Sequence, residues 1–526
     1  MNWRQVIFRK LGDDRSLTQV STRIPWLLLG ILALAAFLRF FHLGSESLWL
    51  DEALSADRIT GDLVTIAQTT AFEDVHPPLY YFLLHLWTLL FGQSEVALRS
   101  LSACLGVASV FTLYKLGCEL FNRKIGLIAS LLMTISTFAI SYSQETRHYS
   151  LLLFLTLVSF YFFIKILKAE KVSKANLFFY ILTSILLAYT HIFGIFIILA
   201  QVFYLILFRR RFSKAWLKLW AAQVITLLFF LPWMVVLITS TLQDSAQTLN
   251  WIPELSFTHV ARSIASLMGA GYLPLAVGIF FVLVSLFLYL AGVIHIPQGQ
   301  QQGKSDLRLQ NIKLKGLLAS IREPRTAMLL VWFFFPITIT LILSLTVRPL
   351  FVSRYLIGVI PVFSLLAAQG ISNIGSIVNV RAIRANITAL TLIGLIVLIT
   401  LPGLYDYYSQ PQKDQWREAT KLIQELEEPG DAIVFNKPYF HYPFDYYYKG
   451  SQEITIMPRE VIEIEEPIVS VERLWLVTGS SESTKDEPLK QALVEQYGSS
   501  SLILEEDFYG VTVYLFDLNA GENKSE

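Results

Sequence analysis

Long apolar runs separated by short polar joints fill the chain as far as Pro402, and then the pattern changes. Runs at 24–43, 96–118, 125–141, 150–167, 176–190, 193–208, 215–239, 272–295, 326–347, 355–375 and 385–403 predict membrane-spanning helices. A full crossing takes about 20 apolar residues, so the shortest runs sit at the lower limit. The stretch 79–92, LYYFLLHLWTLLFG, is shorter still and predicts an interfacial or re-entrant helix. Residues 62–72, DLVTIAQTTAF, put Leu63, Ile66, Ala67 and Thr70 on one helical face and predict a second interfacial helix. Thr190 and His191 divide two short runs, read as two helices rather than one bent one.

Beyond Pro402 the periodicity becomes that of a soluble domain. Gln415 to Glu427 predicts an amphipathic helix with Ala419, Leu422, Ile423 and Leu426 on one face. AIVFN after Pro429-Gly430-Asp431 predicts a buried strand, as do RLWLVTG (473–479) and VTVYLFDL (511–518). LKQALVEQYG predicts a helix stopped at Gly498. The expected fold is an all-α polytopic membrane domain over 1–403, with about 11 transmembrane helices, and a small α/β domain over 404–526.

Composition agrees with the pattern. Hydrophobic residues make up 54% of the 526 and charged residues only 16%, against about 25% in a soluble protein. A net charge of +1 offers no field for nucleic acid. The two cysteines, Cys104 and Cys118, lie in one apolar segment and suggest neither a disulfide framework nor a zinc cluster. The run from Ile24 is too long for a signal-peptide core and is expected to be retained.

Placement of charge sets the topology. If 79–92 does not cross, the basic N-terminus, Arg123-Lys124, Lys165 to Lys174, Arg209-Arg210-Arg211, Lys304 to Arg325, and Arg381 with Arg384 all share one side. That is the positive-inside arrangement, with a cytoplasmic N-terminus and an extracytoplasmic C-terminal domain of a plasma or inner membrane protein. It also brings five polar clusters to the opposite, outer face. These are Asp51-Glu52, Glu73-Asp74 with His76-Pro77-Pro78, Gln144 to Tyr149, Thr190-His191, and Ser353-Arg354-Tyr355. Ionisable groups at membrane borders are expensive and mark function. Each also has a plainer reading. An acidic pair suits a helix N-terminus, proline suits a first helical turn, and a lone arginine snorkels to headgroups. His191 alone is more simply a hydrogen-bonded core histidine, and Glu95 and Arg99 simply flank a span.

SLWLDEALS after the first run resembles the acidic motif in the first outer loop of the GT-C glycosyltransferases. FEDVHPPLYY resembles the HPP segment of the protein O-mannosyltransferase branch, and SYSQETRHYSLL and SRYLIGVIPVFSLLAAQG are similar to that group's outer-face segments. The resemblance spans roughly 24–400, and the outer C-terminal domain is similar in placement to that of the lipid A aminoarabinose transferases. It implies a transferase that moves a sugar, with inversion, from a polyprenyl-phosphate carrier to a lipid, glycan or protein acceptor on the outer face. Carried onto this chain, it implies Asp51 as general base with Glu52 in support. Arg147, Arg354 and Tyr355 would hold the donor phosphate. Glu73, Asp74, His76, Glu145, Tyr149 and His191 would bind substrate. Glu73, His76 and His191 are also the ligand types of a divalent metal ion, a cofactor that the spacing leaves open. The chain departs from several relatives in having no aspartate after its second cluster, where Glu145 is the nearest substitute.

Other classes remain. A transporter or flippase of a lipid-linked substrate suits many spans and embedded charge, but no pair of matching broken helices marks inverted repeats. A polysaccharide polymerase or ligase would use a carrier pyrophosphate, and a non-catalytic membrane partner would have no need of the outer acids and arginines.

Overall fold

The computed structural model describes residues 25–73, 76–242, 252–293, 323–377, 382–450, 455–457, 471–479 and 488–519. Every apolar run becomes helix. Helix α1 (Trp26–Phe40) leads into a short loop and two short helices, α2 (Leu50–Arg58) and α3 (Leu63–Glu73). Then come α4 (Leu79–Phe91), α5 (Glu95–Leu120), α6 (Arg123–Thr134), α7 (Thr137–Ser141) and α8 (Tyr149–Lys168). The second half of the membrane part holds α9 (Lys174–Ala188), α10 (Ile192–Leu207), α11 (Ser213–Leu242), α12 (Phe257–Leu267), α13 (Leu275–Val293), α14 (Pro324–Thr346), a 3₁₀ segment (Ser353–Val359), α15 (Ile360–Ile377) and α16 (Ala382–Ser409).

Among the described residues, 6 helical stretches are long and apolar enough to cross a membrane by length and composition. Exposed side chains on them, such as Leu227, Leu228 and Phe229 on α11, are the surface a bilayer would cover. The predicted 125–141 run is broken, because Ser136 turns out of the helix and its hydroxyl accepts from the Ala139 amide to cap α7. The separation at Thr190-His191 is present, with His191 capping α10. Helix α4 has 13 residues, starts directly after Pro78 and stops at Gly92, whose φ of 81° suits only glycine. It buries Tyr80, Tyr81 and Leu84 and exposes Leu89, Leu90 and Phe91. On α3 the buried face is Ile66 and Thr70, whereas Leu63 is turned outward.

The last membrane helix, α16, does not stop at Pro402. It runs through that proline to Ser409 and delivers the chain to the C-terminal part. There α17 (Trp416–Leu426), β1 (Ala432–Phe435), α18 (His441–Tyr447), β2 (Thr455–Met457), β3 (Arg473–Gly479), α19 (Pro488–Tyr497), β4 (Leu502–Phe508) and β5 (Val511–Asp517) form a mixed sheet in the order β2-β1-β3-β5-β4. Strand β1 is parallel to β2 and β3, while β5 is antiparallel to β3 and β4. Trp416, Ile423, Phe444 and Trp475 pack one sheet face; Leu489, Leu493, Leu476 and Phe516 pack the other. Leu426, expected on the buried face of α17, is exposed at its last turn. Strand β4 has no clear signal in the sequence: it is an edge strand, and Glu505, Glu506 and Asp507 are exposed along it.

The aromatic run 444–450 is a docking device. Tyr446 donates to the Gln93 carbonyl at 2.6 Å, Tyr447 donates to Glu95, and the Leu48 amide donates to the Tyr447 hydroxyl at 2.6 Å. Arg417 of α17 reaches Glu95 at 2.9 Å. The sheet domain is thus fixed to the first loop and to the start of α5.

Candidate active site

Asp51 and Glu52 both occupy the first turn of α2, where the helix dipole favours anions. Their side chains then part company. Glu52 is fully buried. Arg99 grips it bidentately, Nε to Oε1 at 2.9 Å and NH2 to Oε2 at 2.6 Å, Lys413 reaches Oε2 at 3.1 Å, and the Thr146 amide donates to Oε1 at 2.8 Å. Arg99 spends its other N–H groups on the carbonyls of Leu43, Glu46 and Ser47. One carboxylate therefore joins the first loop, α5, the 142–148 segment and the C-terminal part. Burial pushes the Glu52 carboxyl up, but Arg99 and Lys413 with their hydrogen bonds outweigh it and hold it at about 2.

This depression has a measurable sign. Glu52 adds stability above its unfolded value near 4.5, and that contribution is lost as pH falls through its folded value near 2. The melting-temperature difference between wild type and Glu52→Gln is expected to be full above pH 4.5 and to shrink towards pH 2, as read by thermal unfolding in detergent. A difference independent of pH across that window would contradict the assignment.

Asp51 faces the other way and keeps 21% of its side chain exposed. Its Oδ2 lies 3.7 Å from Arg147 NH2 and 3.8 Å from Arg354 NH2. These are ionic contacts too long to be hydrogen bonds. Arg147 comes from the loop before α8 and also donates to the Asp51 carbonyl at 3.2 Å. Arg354 comes from the 3₁₀ segment and lies over the Trp49 ring, 5.8 Å from its centroid. Gly106 on α5 lets the Ser143 hydroxyl and the buried Arg39 side chain come close to that helix: a Cβ there would stand 2.8 Å from Arg39 Nε.

Beside the arginines lies a buried imidazole cluster. Ring centroids of His76 and His148 are 4.4 Å apart, His148 and His191 4.6 Å, and His76 and His191 5.0 Å. The Tyr355 ring lies tilted 5.1 Å from His191, and Tyr149 lies 4.5 Å from His148. Burial drives the His148 imidazolium well below its ordinary range, with the other imidazoles and the two guanidiniums adding to the effect. Its Nε2 and the Tyr149 hydroxyl are buried with no hydrogen-bond partner among the described residues.

Each histidine offers one ligand atom, all within 4.8 Å of one another, a spacing a metal ion could draw together. The electronic state fits a metal poorly. The Phe193 amide donates to His191 Nδ1 at 3.0 Å, which leaves the proton of the neutral ring on Nε2 and makes that atom a donor. Among the described residues no carboxylate joins the triad, and two guanidiniums stand beside it. The cluster suits oxygen-rich ligands, such as a phosphate or a sugar, better than a divalent cation.

Glu145 stands on the other flank. Burial pushes its carboxyl up to about 7, and its Oε2 is buried without a partner among the described residues. It lines a cavity of about 160 Å³ with Trp49, Tyr272, Arg354, Tyr407 and Asp414.

Of the residues singled out in the sequence, Asp51, His76, Arg147, Tyr149, His191, Arg354 and Tyr355 converge, with Glu145 adjoining. Glu73 ends α3, with its side chain outside the described residues, and Asp74 lies outside them altogether. Three participants were missed. Arg99 is no mere flank; an arginine one turn inside an apolar run was the available signal. His148 is the third imidazole, and its place beside Arg147 was its only sign. Lys413 had none, because its partner is 361 residues away.

Residues 75–236 match the dolichyl-phosphate-mannose-protein mannosyltransferase family. No curated protein matches the chain. In fold it is similar to ArnT from Cupriavidus metallidurans in the apo state, with a TM-score of 0.59 and 13% identity over 93% of this chain and 97% of that one. The same protein bound to undecaprenyl phosphate gives 0.57 and 12% over the same shares. An Archaeoglobus fulgidus oligosaccharyltransferase, in complex with Zn and sulfate, gives 0.53 and 14% over 86% of this chain and 68% of that one. The chain therefore shares its polytopic fold with these proteins.

Proposed function

We propose that this protein transfers a sugar from a polyprenyl-phosphate carrier to an acceptor hydroxyl on the outer face of a membrane, with inversion at the anomeric carbon and Asp51 as general base. The observation that carries the reading is the pair of guanidiniums held 3.7 and 3.8 Å from one Asp51 oxygen. ArnT, of like fold, binds undecaprenyl phosphate, which supports a carrier of that chemistry here.

The chemistry follows from the charges. A phosphate diester has one negative charge and departs as a monoester with a second, so cations that meet the growing charge lower the barrier. Arg147 and Arg354 are forks suited to phosphate oxygens. Their long contacts to Asp51 leave room for a phosphate to take them over. Asp51 then accepts the proton of the acceptor hydroxyl as its oxygen bonds to the anomeric carbon. The bond from that carbon to the phosphate oxygen breaks, and the electron pair leaves with the phosphate. His76, His191, Tyr149 and Tyr355 line the sugar and phosphate side as donors and ring faces. The C-terminal domain, on the outer side in this reading, holds the acidic loop in place through Lys413.

Arg354→Ala is expected to raise the donor KM by about tenfold or more and to lower kcat, and Arg354→Lys to recover little, because an ammonium cannot supply the fork. Transfer of labelled sugar from a polyprenyl-phosphate hexose by purified protein measures both. Wild-type kinetics in the alanine variant would remove Arg354 from the site. Transfer is also expected to persist within about twofold in excess chelator, since arginines provide the charge that a metal would. A loss restored by a divalent metal would instead assign the imidazole cluster to that ion.

A further inference from the structure

We propose that the cavity beside Asp51, walled by Trp49, Glu145, Tyr272, Tyr407, Gln412 and Asp414, is the acceptor subsite and takes a neutral or amine-bearing sugar ring rather than a phosphorylated acceptor. This rests on the reading of Asp51 as the base.

Position is the first argument. The cavity holds about 160 Å³, and its wall includes Trp49, two residues before Asp51, and Arg354, which touches the Asp51 carboxylate. It shares Tyr407 and Lys413 with a larger hollow of about 240 Å³ lined by the first loop and the start of the C-terminal part. The cavity wall shares no residue with the imidazole cluster, and Arg354 stands where it meets the donor side.

Charge is the second. The cavity wall carries the carboxyls of Glu145 and Asp414 together with Arg354, whereas the imidazole cluster beside the arginines has no carboxyl among the described residues. Lys413 also lines the cavity, but its ammonium is taken up by Glu52 at 3.1 Å and the Gln144 carbonyl at 2.9 Å. Burial raises Glu145 to about 7 and Asp414 to about 6, so both are poised between carboxyl and carboxylate near neutral pH. A phosphate brought against them would meet repulsion, and the Arg354 guanidinium in the wall is the one the donor needs. A hydroxyl can donate to either carboxylate, and an amine would ionise both.

Unmet hydrogen bonds are the third. Glu145 Oε2 and Trp49 Nε1 are buried and have no partner among the described residues. Leaving such groups unmatched is costly. One is an acceptor and the other a donor, the two halves of what a sugar hydroxyl offers. The rings of Trp49, Tyr272 and Tyr407 supply flat faces for the C–H side of a pyranose, and Tyr272 stands edge-on to Tyr407 at 5.3 Å.

The test is calorimetric titration of the full chain in nanodiscs with methyl glycosides of glucose, mannose, galactose and glucosamine and with their 6-phosphates. At least one unphosphorylated glycoside is expected to bind, with its 6-phosphate about tenfold weaker or worse. Glu145→Ala is expected to weaken glycoside binding by about tenfold, and Trp49→Phe, which removes the indole N–H but keeps a ring, by about threefold. Both variants should keep the wild-type melting temperature, which shows that they fold, and undecaprenyl phosphate is titrated into wild type. Equal or tighter binding of the phosphates, no glycoside binding, or unchanged binding in Glu145→Ala would each overturn the subsite. Failure of undecaprenyl phosphate to bind wild type would instead strike the donor reading and leave the glycoside result standing.

Discussion

Asp51→Asn is expected to lower sugar transfer by about a thousandfold while leaving the protein folded and the carrier bound. A positioned general base contributes about 10²- to 10⁴-fold, and no second carboxylate touches the two arginines among the described residues. The asparagine keeps the size of the side chain, so α2 and its contacts persist. It also removes an anion that competes with a phosphate for Arg147 and Arg354. Polyprenyl phosphate should therefore bind the variant as well as wild type or more tightly, a split that a general packing defect would not produce. Turnover measured with a labelled polyprenyl-phosphate hexose, together with carrier Kd, checks both halves. Activity within about tenfold of wild type would sink Asp51 as base.

Glu52→Ala is the second large effect, and it is one of stability. The neighbouring carboxylate neutralises two buried cations, Arg99 and Lys413, and accepts from the Thr146 amide. Removing one partner of a buried ionic cluster costs about 3–5 kcal/mol, because the charges left behind cannot reach water. The variant is expected to express poorly and to melt well below wild type in detergent. Its C-terminal domain should become sensitive to proteolysis near Lys413, where the strap to the membrane domain is lost. Combining Glu52→Met with Arg99→Met is expected to recover part of the stability, since apolar side chains of similar volume replace buried charge at little cost. A full wild-type melting temperature in Glu52→Ala would show that the cluster is not what holds the first loop. The adjacent acids thus separate by assay: one variant loses rate with stability kept, the other loses stability first.

The proximity of Asp51 and Glu52 in the sequence concealed this division. Both look alike as a helix-start pair, and both do stand in the first turn of α2. Consecutive residues on a helix point about 100° apart, so one faces α5 while its neighbour faces the arginines. His191 had a plain reading as a hydrogen-bonded histidine and a functional one, and the geometry unites them. Its Nδ1 caps α10, and that bond places the ring proton on the nitrogen left over. The tyrosines after Phe444, suited in composition to a glycan, are occupied in joining the two parts of the chain.

The sequence by itself determined the helices, their order and the soluble strand-helix alternation, because period and apolar length are local properties of the chain. It also singled out most of the polar residues at the site, since charge beside an apolar run stands out wherever it folds. Tertiary structure alone decided which of them meet. Asp51 faces arginines 96 and 303 residues further along the chain, and Glu52 a lysine 361 residues away. It also decided that His148 completes the imidazole cluster and that a cavity holding Glu145 and Asp414 adjoins Arg354. Contacts between distant residues depend on how helices pack and on which buried charges must find partners, and neither is written in any short stretch of residues.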